Sequence, residues 1–175
     1  MAELSNGNTR IAFAASDGLL WTQSATSGSS TGLALRPGSS PAITPDTHGG
    51  WIVAAQATDS RLWTIDSAGN QIKTASAMST STSPSIAELS NGDFEIAFVA
   101  ANGELWVQDR SSGDGTGSFV TGSPSIAADN HTGWKVAFQH TSTGTLWTLD
   151  STGRAVDTGD AVAAGTNPVI LALQS

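Results

Sequence analysis

Six tryptophans, with no tyrosine and no cysteine, stand out among the side chains of this 175-residue chain that could do chemistry. Four of them follow a leucine, as Leu20-Trp21, Leu62-Trp63, Leu105-Trp106 and Leu146-Trp147. The electron-rich face of an indole packs well against the weakly positive C–H face of a sugar ring. Trp21, Trp63, Trp106 and Trp147 are therefore candidate stacking platforms; the competing reading makes them packing between structural units. The other two, Trp51 and Trp134, close a shared pattern, Asp-x-His-x-Gly-Trp, that begins at Asp46 and at Asp129. Asp46 with His48, and Asp129 with His131, have the donors and acceptors to hold sugar hydroxyls beside an indole. The same residues also suit a side-chain-stabilised turn. One Asp with one His is too few ligands for a metal, and no cofactor is expected. Gln139 could fix a ligand through its amide, as could Gln56 and Gln108, although all three are expected at solvated hairpin positions. His140 has no counterpart in the other units and is expected at the surface.

These residues recur because the chain repeats. Ala2-Glu3-Leu4-Ser5-Asn6-Gly7 returns as Ala87-Glu88-Leu89-Ser90-Asn91-Gly92, and Ile11-Ala12-Phe13 returns as Ile96-Ala97-Phe98, both at an offset of 85. Each half divides again, since the Leu-Trp pairs are spaced by 42, 43 and 41 residues. An apolar segment precedes each pair: Ile11-Ala12-Phe13, Val53-Ala54-Ala55, Ile96-Ala97-Phe98 and Val136-Ala137-Phe138. Between segment and pair lie the tight-turn pairs Asp17-Gly18, Asp59-Ser60, Asn102-Gly103 and Thr143-Gly144, of which the Asp-Gly and Asn-Gly pairs favour type I′ hairpin turns. A Pro-x-Ile strand punctuates the units at Pro41, Pro84, Pro124 and Pro168, and a weaker fourth strand, such as Ala155-Val156-Asp157-Thr158, completes each one.

Four short strands in about 42 residues, with no helical periodicity, predict an all-β chain. The pattern is that of a β-propeller of four-stranded blades, four blades per chain. The repeats run approximately over 1–40, 41–83, 84–123 and 124–167, within a single domain spanning 1–175. Residues 168–175 read as a closing strand that supplies the inner strand missing before Ala2. Closure within one chain gives a four-bladed ring; closure between two gives an eight-bladed homodimer. Both remain open at this stage, as does a shortened or designed repeat array.

The fourth unit carries a family resemblance. Pro124-Ser125-Ile126-Ala127, Gly133-Trp134-Lys135-Val136-Ala137-Phe138-Gln139 and Gly144-Thr145-Leu146-Trp147 together resemble the repeats of actinobacterial secreted β-propeller modules. They are also similar to the wider group of fucose-lectin-like propellers, which share a Gly-x-Leu-Trp hairpin. The resemblance implies a secreted protein with sugar pockets repeated around a ring, commonly between blades. No signal peptide is read in this chain. Unit two departs from the pattern, with Ala55 in place of Phe and Ser60 in place of Gly.

Composition narrows the partners. A net charge of −8 repels phosphate backbones, which argues against nucleic acid. No apolar run is long enough to span a bilayer. No nucleophile elbow, metal-ligand cluster or phosphate loop is present. The expected function is therefore a non-catalytic, multivalent, lectin-like binder of glycans or monosaccharides. A structural or protein-interaction scaffold is the alternative, and a glycan-processing enzyme the weaker one.

Overall fold

The computed structural model describes residues 1–129 and 133–171, and within them the chain is all β, with fifteen strands and no helix. Unit one holds β1 (Ala2–Glu3), β2 (Thr9–Ala14), β3 (Leu19–Gln23) and β4 (Gly28–Ala34). Unit two holds β5 (Ala42–Asp46), β6 (Gly50–Gln56), β7 (Arg61–Asp66) and β8 (Gln71–Ala77). Unit three holds β9 (Ser85–Glu88), β10 (Phe94–Val99), β11 (Glu104–Gln108) and the first part of β12 (Gly113–Ala128). The rest of β12 opens unit four, followed by β13 (Trp134–His140), β14 (Thr145–Asp150) and β15 (Ala155–Ala161).

Every unit is an antiparallel meander in chain order. Because β12 runs unbroken from the outer edge of unit three to the inner edge of unit four, those two units form one seven-stranded sheet. Inner strand packs on inner strand, β1 on β5, β5 on β9 and β9 on β12.

Alternation along the strands explains the packing. Neighbouring residues of a strand face opposite sides, and each inner unit is covered on both. Ile96 and Phe98 face unit two, in a cluster with Ile52, Ala54, Leu62 and Met78. Ala97, Val99 and Leu105 face unit four, in a cluster with Val136, Phe138 and Leu149. Val53, Ala55 and Ile65 face unit one, where Leu20, Leu33 and Leu35 meet them. Leu20, Leu62 and Leu105 point to the following unit, and Trp63, Trp106 and Trp147 to the preceding one.

Side chains stitch successive inner edges together. The Ser40 N–H donates to Ser83 Oγ at 2.9 Å, Ser83 N–H to Ser123 Oγ at 2.8 Å, and Ser123 N–H to Asn167 Oδ1 at 2.7 Å. Each of these residues precedes a unit-opening proline, and the bonds satisfy backbone groups that the short inner strands leave over.

Two expectations are corrected. Positive φ occurs at Gly18, Ser60, Gly103 and Gly144 but not at Asp17, Asp59 or Asn102. The hairpins of the first three units are therefore not type I′. Gly18 N–H bonds to Ala15 O and Ala15 N–H to Leu19 O, which is a type I turn followed by a left-handed residue. The Asp or Asn accepts the backbone N–H two residues on, as Asp17 does from Leu19 and Asn102 from Glu104. That bond favours the right-handed conformation at this position, so only the next residue must be left-handed.

The closing strand expected over 168–175 is also not seen among the described residues, and of the two closures left open by the sequence the one within a single chain is not formed there. Residues 162–171 form no strand. Ile170 N–H reaches Ser125 Oγ of unit four at 3.2 Å, while Ala2–Glu3 itself forms the inner strand of unit one, paired with Thr9 and Arg10. Residues 172–175 of the expected closing strand lie outside the described residues.

Candidate ligand-binding cleft

The tryptophan sets occupy opposite ends of a unit. Trp63 pairs with Ala55, near the β6–β7 hairpin, while Trp51 pairs with Pro45 beside the β5–β6 hairpin. Four residues of strand, about 13 Å, separate Ala55 from Trp51. The Leu-Trp indole and the Asp-x-His turn of a unit therefore do not converge on one site.

All four Leu-Trp indoles are half-buried, and their hairpins hold their N–H groups. Trp21 Nε1 donates to Asp17 at 3.1 Å, Trp63 to Asp59 at 3.3 Å, Trp106 to Glu104 at 3.4 Å and Trp147 to Thr145 at 3.1 Å. Two of the rings have a covering group. The Lys73 ammonium lies 5.9 Å from the Trp63 ring centre and pairs with Asp59 at 2.8 Å. His140, half-buried on the hairpin, stacks on Trp147 at 4.7 Å. Trp106 meets Phe98 at 6.3 Å, tilted by 46°, and forms part of a cleft wall.

The second tryptophan set is packed further in. Trp51 is 8% exposed, within the core between units one and two, and Arg10 of unit one lies 5.7 Å over its ring. Trp134 packs against the core between units three and four. Their motif forms a turn. His48 Nδ1 lies 2.9 Å from Asp46 Oδ1 with its side chain 80% exposed, and Gly133 N–H donates to Asp129 Oδ1 at 2.8 Å. Partial burial works against the Asp46 carboxylate, but the hydrogen bonds from His48 outweigh it and hold Asp46 below the ordinary aspartate value. A Cβ at Gly50 or Gly133 would run into the Ser67 or Ser151 hydroxyl, which explains the glycine before each of these tryptophans. His131 lies outside the described residues.

A cleft of about 650 Å³ opens between units two and three. Ile52, Phe94, Phe98 and Trp106 give it an apolar floor. Around this stand Asp66 with Asn70, Ser76 with Gln108, and Arg110. Asn70 Nδ2 donates to Asp66 at 2.7 Å, Ser76 Oγ donates to Gln108 Oε1 at 2.8 Å, and the Arg110 guanidinium lies 4.8 Å over the Phe94 ring. Burial raises the Asp66 carboxyl, but the Asn70 amide and three backbone N–H groups lower it further, so it stays an ionised acceptor. The N–H groups of Ser112 and Ser111 lower Asp109 in the same way.

The cleft exists because the units alternate. At the first-to-second interface the corresponding space is filled by Trp51 with Ile65, and at the third-to-fourth by Trp134 with Leu149. At the second-to-third interface the same two positions are Phe94 and Gln108. A smaller ring and a polar amide leave room where an indole and an aliphatic side chain fill it.

Of the candidate ligand residues singled out from sequence, Trp106 and Gln108 line this cleft. Gln139 is 8% exposed and bonds the carbonyls of Gly144 and Val162. Gln56 and Gln108 are buried as well, so none of the three glutamines occupies a solvated hairpin position. Phe94, Arg110 and the Asp66–Asn70 pair were missed. Their signal lay in the departures from the repeat, Phe94 for Trp and Gln108 for Ile or Leu, more than in the residues that recur. Among the described residues no group of three potential metal ligands is found.

No protein-family model and no curated protein sequence matches the chain. The likeness to actinobacterial secreted modules therefore has no sequence-family support. Among solved structures, the chain is similar to the SapL1 lectin in complex with α-methyl fucoside. The identity is 14%, with 97% of this chain and 67% of that one covered and a TM-score of 0.65. It is similar too to the lectin of Aleuria aurantia in complex with Fucα1-6GlcNAc, at 14% identity, 88% and 58% coverage and a TM-score of 0.62. That lectin is described as a six-bladed β-propeller. A catalytically inactive virginiamycin B lyase from Staphylococcus aureus is a further neighbour, at 10% identity, 97% and 58% coverage and a TM-score of 0.59. The chain thus spans a little under 60% of the length of the Aleuria lectin. These likenesses show the β-propeller fold.

Proposed function

We propose that this protein is a non-catalytic, carbohydrate-binding propeller whose ligand lies in the cleft between units two and three. The observation that carries this reading is the exchange of Trp for Phe94 at that interface. It leaves a space of about 650 Å³ beside the Trp106 indole, bordered by hydroxyl, amide, carboxylate and guanidinium groups. An apolar floor with a few convergent polar groups is the composition of a small-ligand site. An indole beside hydrogen-bonding groups of both signs suits a pyranose, which offers C–H faces and hydroxyls.

The lectin neighbours carry fucosides, so a fucoside is the first ligand to test. The non-catalytic part of the proposal rests on the carboxylates lining the cleft. Asp66 and Asp109 are both held low by hydrogen bonds, whereas hydrolysis of a glycoside needs a carboxyl raised enough to donate a proton. Among the described residues the carboxyl pushed well up, to about 7, is Glu95, on the face of β10 that Ala97 turns towards unit four and away from the cleft. Multivalency in this reading comes from bringing chains together, not from four equal sites in one chain.

The test is titration of the chain with α-methyl fucoside and a panel of other monosaccharides, followed by tryptophan fluorescence, together with a glycan array. A saturable change that disappears in Trp106→Ala supports the proposal. A blank array with no fluorescence response to any sugar would turn the reading to a protein-interaction scaffold.

A further inference from the structure

The core faces of the two end units are left uncovered. Ile11 and Phe13 of unit one are 41% and 38% exposed, yet their counterparts Ile96 and Phe98 in unit three are fully buried against unit two. Unit four shows the complementary deficit. Leu20, Leu62 and Leu105 are fully buried against the unit that follows each, while Leu146 remains half-exposed. Leu35, Met78 and Val120, which close the outer edges of the first three units, are buried, and their counterpart Val162 is half-exposed. Two apolar faces, each of the type the chain buries elsewhere, thus stand open at its two ends.

We propose that the outer face of unit four docks on the front face of unit one of a second copy of this chain, reproducing the contact between units two and three. The argument is the internal duplication. The second-to-third interface joins one half of the chain to its own repeat at an offset of 85 residues. Its two walls are an even unit's outer face and an odd unit's front face. Unit four is an even unit, with Ala137, Leu146 and Val162 where unit two has Ala54, Leu62 and Met78. Unit one is an odd unit, with Ile11, Phe13, Trp21 and Gln23 where unit three has Ile96, Phe98, Trp106 and Gln108. The chain therefore carries most of both walls of an interface it already uses, with Lys135 in place of Ile52 and Thr9 in place of Phe94, and the contact is head-to-tail. It also places a second wall opposite Trp21 and Gln23, completing a cleft of the second-to-third kind. That consequence rests on the carbohydrate reading; the docking does not.

Light scattering on the chain, on Phe13→Asp, on Leu146→Asp and on an equimolar mixture of the two variants tests the proposal. The wild-type particle is expected at two or more times 17.8 kDa, and each variant alone at the single-chain mass. The mixture is expected to recover a two-chain particle, because each variant keeps the face that the other lacks. Far-UV circular dichroism checks that the variants retain their strands, and recovery in the mixture is possible only for folded chains. A monomeric wild type overturns the proposal. So does a multimer that either substitution alone leaves intact, which is the outcome for a contact of like face on like face, or a mixture that stays monomeric. None of these masses depends on sugar binding.

Discussion

Phe94 takes in unit three the position that Trp51 takes in unit two, and each faces the unit before it. Trp51 fills its interface with Ile65 beside it; Phe94, with Gln108 in that second place, leaves a cleft. Adding an indole at residue 94 should therefore close the cleft. Phe94→Trp is expected to weaken sugar binding at least tenfold, measured by isothermal titration. It should change the melting temperature by no more than a few degrees, since the added ring enters existing space and does not overpack a full core. The reverse exchange, Trp51→Phe, removes packed atoms from a filled interface and should cost about 1–3 kcal/mol in denaturant unfolding.

The Leu-Trp indoles are not equivalent, and their substitutions should separate. Trp106→Ala removes a wall of the cleft, and a loss of about 1.4 kcal/mol in binding would appear as a tenfold rise in Kd. Trp63→Ala and Trp147→Ala act where Lys73 and His140 already cover the ring. They should leave Kd within about twofold while lowering stability. Equal losses of binding for all three would place the site elsewhere.

Glu95 sets a pH dependence. Burial, with Asp109, Asp114 and Asp93 nearby, pushes its carboxyl up to about 7 from an ordinary 4.5. A carboxyl raised in the folded state binds its proton more tightly there than in the unfolded chain. Stability contributed by the neutral group is present below the unfolded value and is lost as pH rises through about 7. Glu95→Gln should abolish that loss. The variant is expected to melt about 2–4 °C above wild type at pH 8 and to match it near pH 4. Thermal melts across this range check the sign.

The Asp-x-His turn should tolerate loss of its ring. His48 is largely exposed and does not line the cleft, so His48→Ala is expected to change stability by less than about 0.5 kcal/mol and binding not at all. Asp46 accepts both the His48 ring and its backbone N–H. Asp46→Ala should therefore cost more than His48→Ala, about 1 kcal/mol, by the loss of a turn-stabilising acceptor. Chemical denaturation of the two variants side by side makes the comparison.

The division into four-stranded units, the strand order and the pairing of Phe13 with Trp21 or Phe98 with Trp106 follow from local rules. Strand alternation and turn residues act over a few positions, and the repeat displays them four times over. The type of hairpin turn was misread because Asp-Gly pairs fit two turn classes, and the class depends on a side-chain bond from Asp17 or Asn102 to a backbone N–H. The sequence by itself determined that Trp51 and Trp134 differ from Phe94, and that even units differ from odd ones. Only the tertiary structure decided what this difference does. The cleft has one wall from Ile52, Asp66 and Ser76 and the other from Phe94, Trp106 and Arg110. Whether a position is filled or open depends on the summed volume of side chains some forty residues apart, and no local pattern along the chain records that sum.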